Sequence, residues 1–209
     1  MNISILPAIA FALTILPAAQ QESSTSAETP AQATKPACEP TANDYAVYSA
    51  ILDNLGHPQF PEWKDKLDII LVDATTTGVA TDGKGWGPSS STNQAPTQET
   101  IKNYNSRVAG SCHLQSRFSA KISPGFISKE FTEKNFKDIR NGWARFYKEH
   151  PDASGFWDFS AVGYSGNGLE ALVYMGHHCG GRCGTGNLVL LRRENGSWVV
   201  KNRLMLWIS

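Results

Sequence analysis

The densest cluster of chemically capable side chains in this sequence is His177-His178-Cys179 with Cys183, inside the run HHCGGRCGTG at residues 177–186. Imidazole nitrogens and thiolates bind metals, and a thiolate beside an imidazole is a nucleophile. The pattern falls short of a zinc site. Adjacent histidines at a strand end point to opposite faces, and no second cysteine pair accompanies Cys179 and Cys183, although their spacing suits zinc. In an oxidising compartment the two sulfurs would be consumed as a disulfide. The glycines of the run invite a phosphate-loop reading. Such a loop must open a helix and carry G-K-[ST], whereas this one leads into a strand pattern. The glycines are read instead as permitting a crowded reversal beside a disulfide. Neither a metal nor any other cofactor is expected.

The four cysteines allow three pairings. Cys179 with Cys183 and Cys38 with Cys112 are favoured. The first would fix the shape of the Cys-Gly loop, and the second would tie the start of the domain to the segment after residue 108. Cys38 and Cys112 free, or Cys38 bonded to another molecule, remain open alternatives.

Other motifs carry less. Cys112-His113 would need a further base to act as a thiolate pair. Gly163-Tyr164-Ser165-Gly166-Asn167 nearly spells the nucleophile elbow G-x-S-x-G but ends in Asn, and it sits in a hairpin turn rather than a strand-to-helix bend. Asn195-Gly196-Ser197 matches a glycosylation sequon, but a type I′ turn already explains it. Trp86, in GKGWGP, is either a ligand platform or a loop residue resting on the domain. No catalytic residue is assigned. With 19 basic and 19 acidic side chains the net charge is zero, which argues against a nucleic-acid binder. Arg182, Arg192, Arg193, Lys201 and Arg203 make the C-terminal sheet locally basic and suit an acidic partner.

The elements that must position these groups are strands. Asn195-Gly196 closes a hairpin that pairs Arg193 with Trp198 and Leu191 with Val200. Simple alternation then puts Val189, Leu191, Trp198, Val200, Leu204, Leu206 and Ile208 on one face. A second turn, at residues 165–168, joins strands at 159–164 and 169–176. Together these make a four-stranded antiparallel meander. An earlier strand at 67–74 should join the same sheet. Helices are expected from residue 41, with acidic Asp44 in the first turn, and over 98–108, 128–136 and 142–150. Residues 75–100 form a long loop of the kind that is functional or mobile. The fold class is α+β, with the N-terminal helices packed on one face of the sheet.

Three segments organise the chain. Residues 1–19 form an uncharged apolar run followed by small residues, read as a signal peptide. Residues 20–40 hold no aliphatic side chain larger than alanine and read as a disordered tether. Residues 41–209 are one domain. No transmembrane span is expected in the mature chain, which would be periplasmic or secreted.

The C-terminal third resembles a family of uncharacterised exported bacterial proteins. The likeness lies in Gly142, Trp143, Phe146 and Tyr147 before His150-Pro151, in residues 160–164, and in Ala171-Leu172-Val173-Tyr174. It continues through the Cys-Gly-Gly-x-Cys-Gly-x-Gly loop at 179–186 and the Trp198-x-Val200…Leu206-Trp207-Ile208-Ser209 ending, and the helix at 45–52 is similar too. His177-His178 and the 75–100 loop depart from that pattern. The resemblance implies export and no particular chemistry. The leading expectation is a non-catalytic binding or envelope-associated protein whose partner is a protein or a small ligand. The alternative is a metal- or thiol-dependent enzyme centred on His177, His178, Cys179 and Cys183.

Overall fold

The computed structural model describes residues 39–55, 68–75, 78–86 and 94–209. The segments expected to be a signal peptide and a tether lie outside them, apart from Glu39 and Pro40, as does Cys38. Among the described residues no helix is long and apolar enough to cross a membrane.

Eleven elements follow in order: α1 (Ala42–Asn54), β1 (Asp68–Val72), α2 (Gln98–Arg107), β2 (Gly125–Ile127), α3 (Lys129–Asn135), α4 (Ile139–Glu149), β3 (Ala153–Phe159), β4 (Gly163–Tyr164), β5 (Glu170–Gly180), β6 (Cys183–Glu194) and β7 (Ser197–Ile208). Each of the four helices among the described residues begins on an N-cap whose oxygen accepts a backbone N–H: Thr41, Thr97, Ser128 and Asp138. At α1 the cap is reciprocal, since the Asp44 carboxylate accepts the Thr41 N–H at 2.7 Å while Thr41 Oγ1 accepts that of Asp44.

The strands form one seven-stranded sheet in the order β2-β1-β3-β5-β6-β7, with β4 beside β5. The C-terminal meander is antiparallel, as the turn residues require. Asn195 and Gly196 both have positive φ at the β6–β7 turn, and Arg193 faces Trp198 while Leu191 faces Val200. The strand expected at 67–74 joins the sheet as β1, but it lies inside it, parallel to both β2 and β3.

The α+β class stands, and the placement of the helices is amended. They cover both faces. Consecutive residues along the strands belong to different cores: Val173 and Leu71 pack with Tyr48 and Ile51 of α1. Leu172 and Tyr174 pack with Ile101 and Tyr104 of α2, and Ile70 and Val72 pack with Phe146 of α4. Strands at the centre of the sheet are apolar on both sides, so each side needs a cover. Fully burying a side chain such as Leu172, Phe146 or Ile51 contributes about 2 kcal/mol.

A second amendment concerns β7. The pairing shifts between Leu190 and Leu191, so that Val200 faces Leu191 but Asn202 faces Leu190. The extra residue, Lys201, is a bulge that reverses the alternation. Trp198 and Val200 therefore enter the α1 core, while Leu204 and Leu206 enter the α2 core.

Candidate functional site

The run 177–186 is strand rather than loop. β5 continues to Gly180 and β6 begins at Cys183, leaving only Gly181 and Arg182 as the turn. The disulfide Cys179–Cys183 closes this hairpin tip, with Cα atoms 5.1 Å apart. Cys112 is also disulfide-bonded; the Cys38 end of the expected pairing lies outside the described residues.

Being on strand, His177 and His178 point to opposite faces. The His177 ring stacks on Trp157 at 4.0 Å in the α1 core, where the residue is 3% exposed. Its Nε2–H donates to the Ser154 carbonyl at 3.0 Å. Burial lowers its pKa to about 4, with the Ser154 carbonyl opposing the shift and His178 adding to it. His177 is a neutral core residue at neutral pH. The Ser154 carbonyl reaches it because β3 is bulged at Gly155, whose φ is +122° and where a Cβ would lie 2.0 Å from the His178 carbonyl oxygen.

His178 lies on the other face, in a cluster of different character. Its Nε2 is 3.1 Å from Asp158 Oδ2, and Asp158 Oδ1 accepts the Gly176 N–H at 3.1 Å. The His178 ring stacks on Phe156 at 4.9 Å and lies 5.8 Å from Trp207. Trp207 Nε1–H donates to Tyr174 Oη at 3.2 Å. Burial pushes the Tyr174 phenol up to about 12, with the Asp158 charge adding to it. The cluster rests on backbone without side chains. A Cβ at Gly176 would meet Asp158 Oδ1 at 2.3 Å, one at Gly184 would meet Trp207 at 3.2 Å, and one at Gly186 would meet Trp207 Nε1 at 2.0 Å. The last two belong to the Gly-rich run, and their task is this close approach rather than the reversal.

Two clefts of about 600 and 620 Å³ flank the tip. The first runs between the tip and α3–α4. Phe136, Trp143 and Phe156 give it an apolar wall, and its polar groups include Asp158, His178, Lys129 and Glu133. The second, lined by Tyr147, Pro151, His177, Arg182 and Ile208, lies beside the disulfide. Cys183 borders both.

The remaining candidates fall into structural roles. Trp86 is 5% exposed and packs against the α2 core. Ser165 Oγ accepts the Glu170 N–H and donates to Asn167 Oδ1, which fixes its turn. On the basic face Arg192 pairs with Glu170 at 2.7 Å and Lys201 with Glu194 at 2.5 Å, while Arg193 lies over the Trp198 ring. Among the described residues no three His, Cys, Asp or Glu side chains converge as metal ligands.

Sequence reasoning passed over Asp158, Phe156, Tyr174 and Trp207. Their shared face emerges only from the pairings Phe156↔His178, Asp158↔Gly176 and Gly186↔Trp207. The available signal was small: Gly184 and Gly186 two residues apart on β6, with Gly176 on β5 paired to Gly186. No family model, curated protein or solved structure matches the chain.

Proposed function

We propose that the protein is an exported binding protein that holds a small ligand in the cleft between the disulfide-closed hairpin tip and helices α3 and α4. One observation carries the reading: an aromatic wall and the Asp158–His178 pair line the same cleft of about 600 Å³. Ligand sites combine apolar walls with a few placed polar groups. A flat ligand face would pack against Trp143 and Phe156, and a hydroxyl or amine would bond the carboxylate. Asp158 is already held by Gly176 and His178, so it is preorganised to accept. Export is supported by the apolar run and polar tract at the start of the chain, by the paired cysteines, and by the likeness to exported bacterial proteins.

The metal-dependent alternative finds no support in the histidine geometry, because the two rings lie on opposite faces. The binding test is a small-molecule screen read by tryptophan fluorescence. Trp143→Ala and Asp158→Asn should each weaken a hit about tenfold, or about 1.4 kcal/mol. Hits indifferent to both substitutions would remove the cleft as the site. Export is checked by fractionating cells that express the full chain; a cytoplasmic product retaining residues 1–19 would count against it.

A further inference from the structure

The Cys179–Cys183 bond joins two residues that the fold already holds together. Backbone pairing runs from Glu170↔Arg192 to His178↔Gly184 and finishes at Gly180↔Cys183 beside the bond. A disulfide contributes most to stability when it closes a long loop of the unfolded chain, and this one spans a separation of 4. The backbone ladder that runs up to the bond already holds the two strands in register, so little of the fold's stability rests on it.

Three features suit the tip to reaction. Cys183 is exposed and Cys179 half-buried. The Tyr147 hydroxyl donates to the Cys179 carbonyl at 2.9 Å and anchors that side of the bond, so Cys183 is the more open partner and Cys179 the better held one. Cys183 also borders both clefts, which leaves room for an approaching chain on either side. Finally, the exposed Arg182 sits between the cysteines and has no carboxylate partner among the described residues. A neighbouring cation favours thiolate over thiol, the form that attacks and leaves in exchange.

We propose that the hairpin tip is a thiol–disulfide exchange site acting on a cysteine pair of another polypeptide. A substrate thiolate attacks Cys183 Sγ; the Cys183–Cys179 bond breaks and its electron pair departs on Cys179 as thiolate. The substrate's second thiolate then attacks its own sulfur in the mixed disulfide, and Cys183 leaves as thiolate. The substrate loses two electrons and two protons to become a disulfide, and the tip holds them as two thiols. A low-molecular-weight disulfide such as oxidised glutathione restores the bond by the reverse exchange. This activity goes beyond ligand binding in the cleft and does not depend on it.

The full chain is equilibrated in glutathione buffers of graded ratio, alkylated, and its cysteines mapped by mass. Cys179 and Cys183 should become reduced together, with the circular dichroism spectrum unchanged. A free-thiol Cys179→Ala variant should form a mixed disulfide with a peptide disulfide through Cys183. The Cys183→Ala variant should do so roughly tenfold more slowly, because its remaining sulfur is less accessible. A bond that yields only on denaturation, or equal trapping by both variants, overturns the proposal.

Discussion

Protonating His177 in the folded protein means placing a charge beside Trp157 in the core, and burial accordingly holds its pKa near 4 against an ordinary 6.5. Between those two pH values the unfolded chain binds the proton and the folded one does not. The stability from this group is therefore complete above about pH 6.5 and is lost as pH falls toward about 4, at about 1.4 kcal/mol per pH unit. Below that the loss levels off. Urea unfolding across this range should show the slope, and His177→Gln should flatten it. Gly186→Ala forces Trp207 off the sheet and should cost about 2 kcal/mol, with a changed tryptophan emission. At this scale the sequence was partly legible: the opposed directions of His177 and His178 follow from strand periodicity alone. The partner of each ring did not follow, because Ser154 and Asp158 reach them across a strand pair that no local signal announces.

The elements with local signatures were readable, and those set by distant pairing were not. Thr41 with Asp44 starts α1, Ser128 caps α3, and Asn195-Gly196 fixes the register of β6 and β7. β3 escaped notice as a separate strand because Gly155 and Asp158 interrupt its apolar pattern, and both serve the histidines. The bulge at Lys201 is likewise silent in sequence, yet it decides which side chains of β7 are buried. Leu204→Asp should destabilise by about 2 kcal/mol or more, whereas Met205→Asp should change stability by less than about 0.5 kcal/mol. Chemical denaturation of both variants checks that Leu204 is covered and Met205 is not; simple alternation from Trp198 also buries Leu204, but the bulge assigns it to the α2 core. A Leu204–Ile101 double-mutant cycle should therefore show coupling, and a Leu204–Ile51 cycle should not.

Across the whole molecule the sheet is fastened to its helices by a few buried polar ties. Glu170 is the hub of one: it pairs with Arg192, and its Oε1 accepts the backbone N–H and hydroxyl of Thr97, the cap of α2. Asp44 is the hub of another, accepting from Tyr164 Oη at 2.8 Å with Arg107 at 3.6 Å. Glu170→Gln removes the carboxylate charge paired with the half-buried Arg192 and should cost about 2 kcal/mol, read as a lowered unfolding midpoint with unchanged slope. The position of β1 has a further consequence, for the order of folding. It is the first strand among the described residues, yet both of its neighbours, β2 and β3, come much later. β5, β6 and β7 are joined by tight turns and can zip as soon as they exist, whereas β1 must wait for Phe126 and Phe156 to arrive. Pulse-labelled hydrogen exchange during refolding should therefore find amides of the C-terminal hairpins protected first and those of Ile70 and Leu71 last, so that the strand made earliest is the one that completes the sheet.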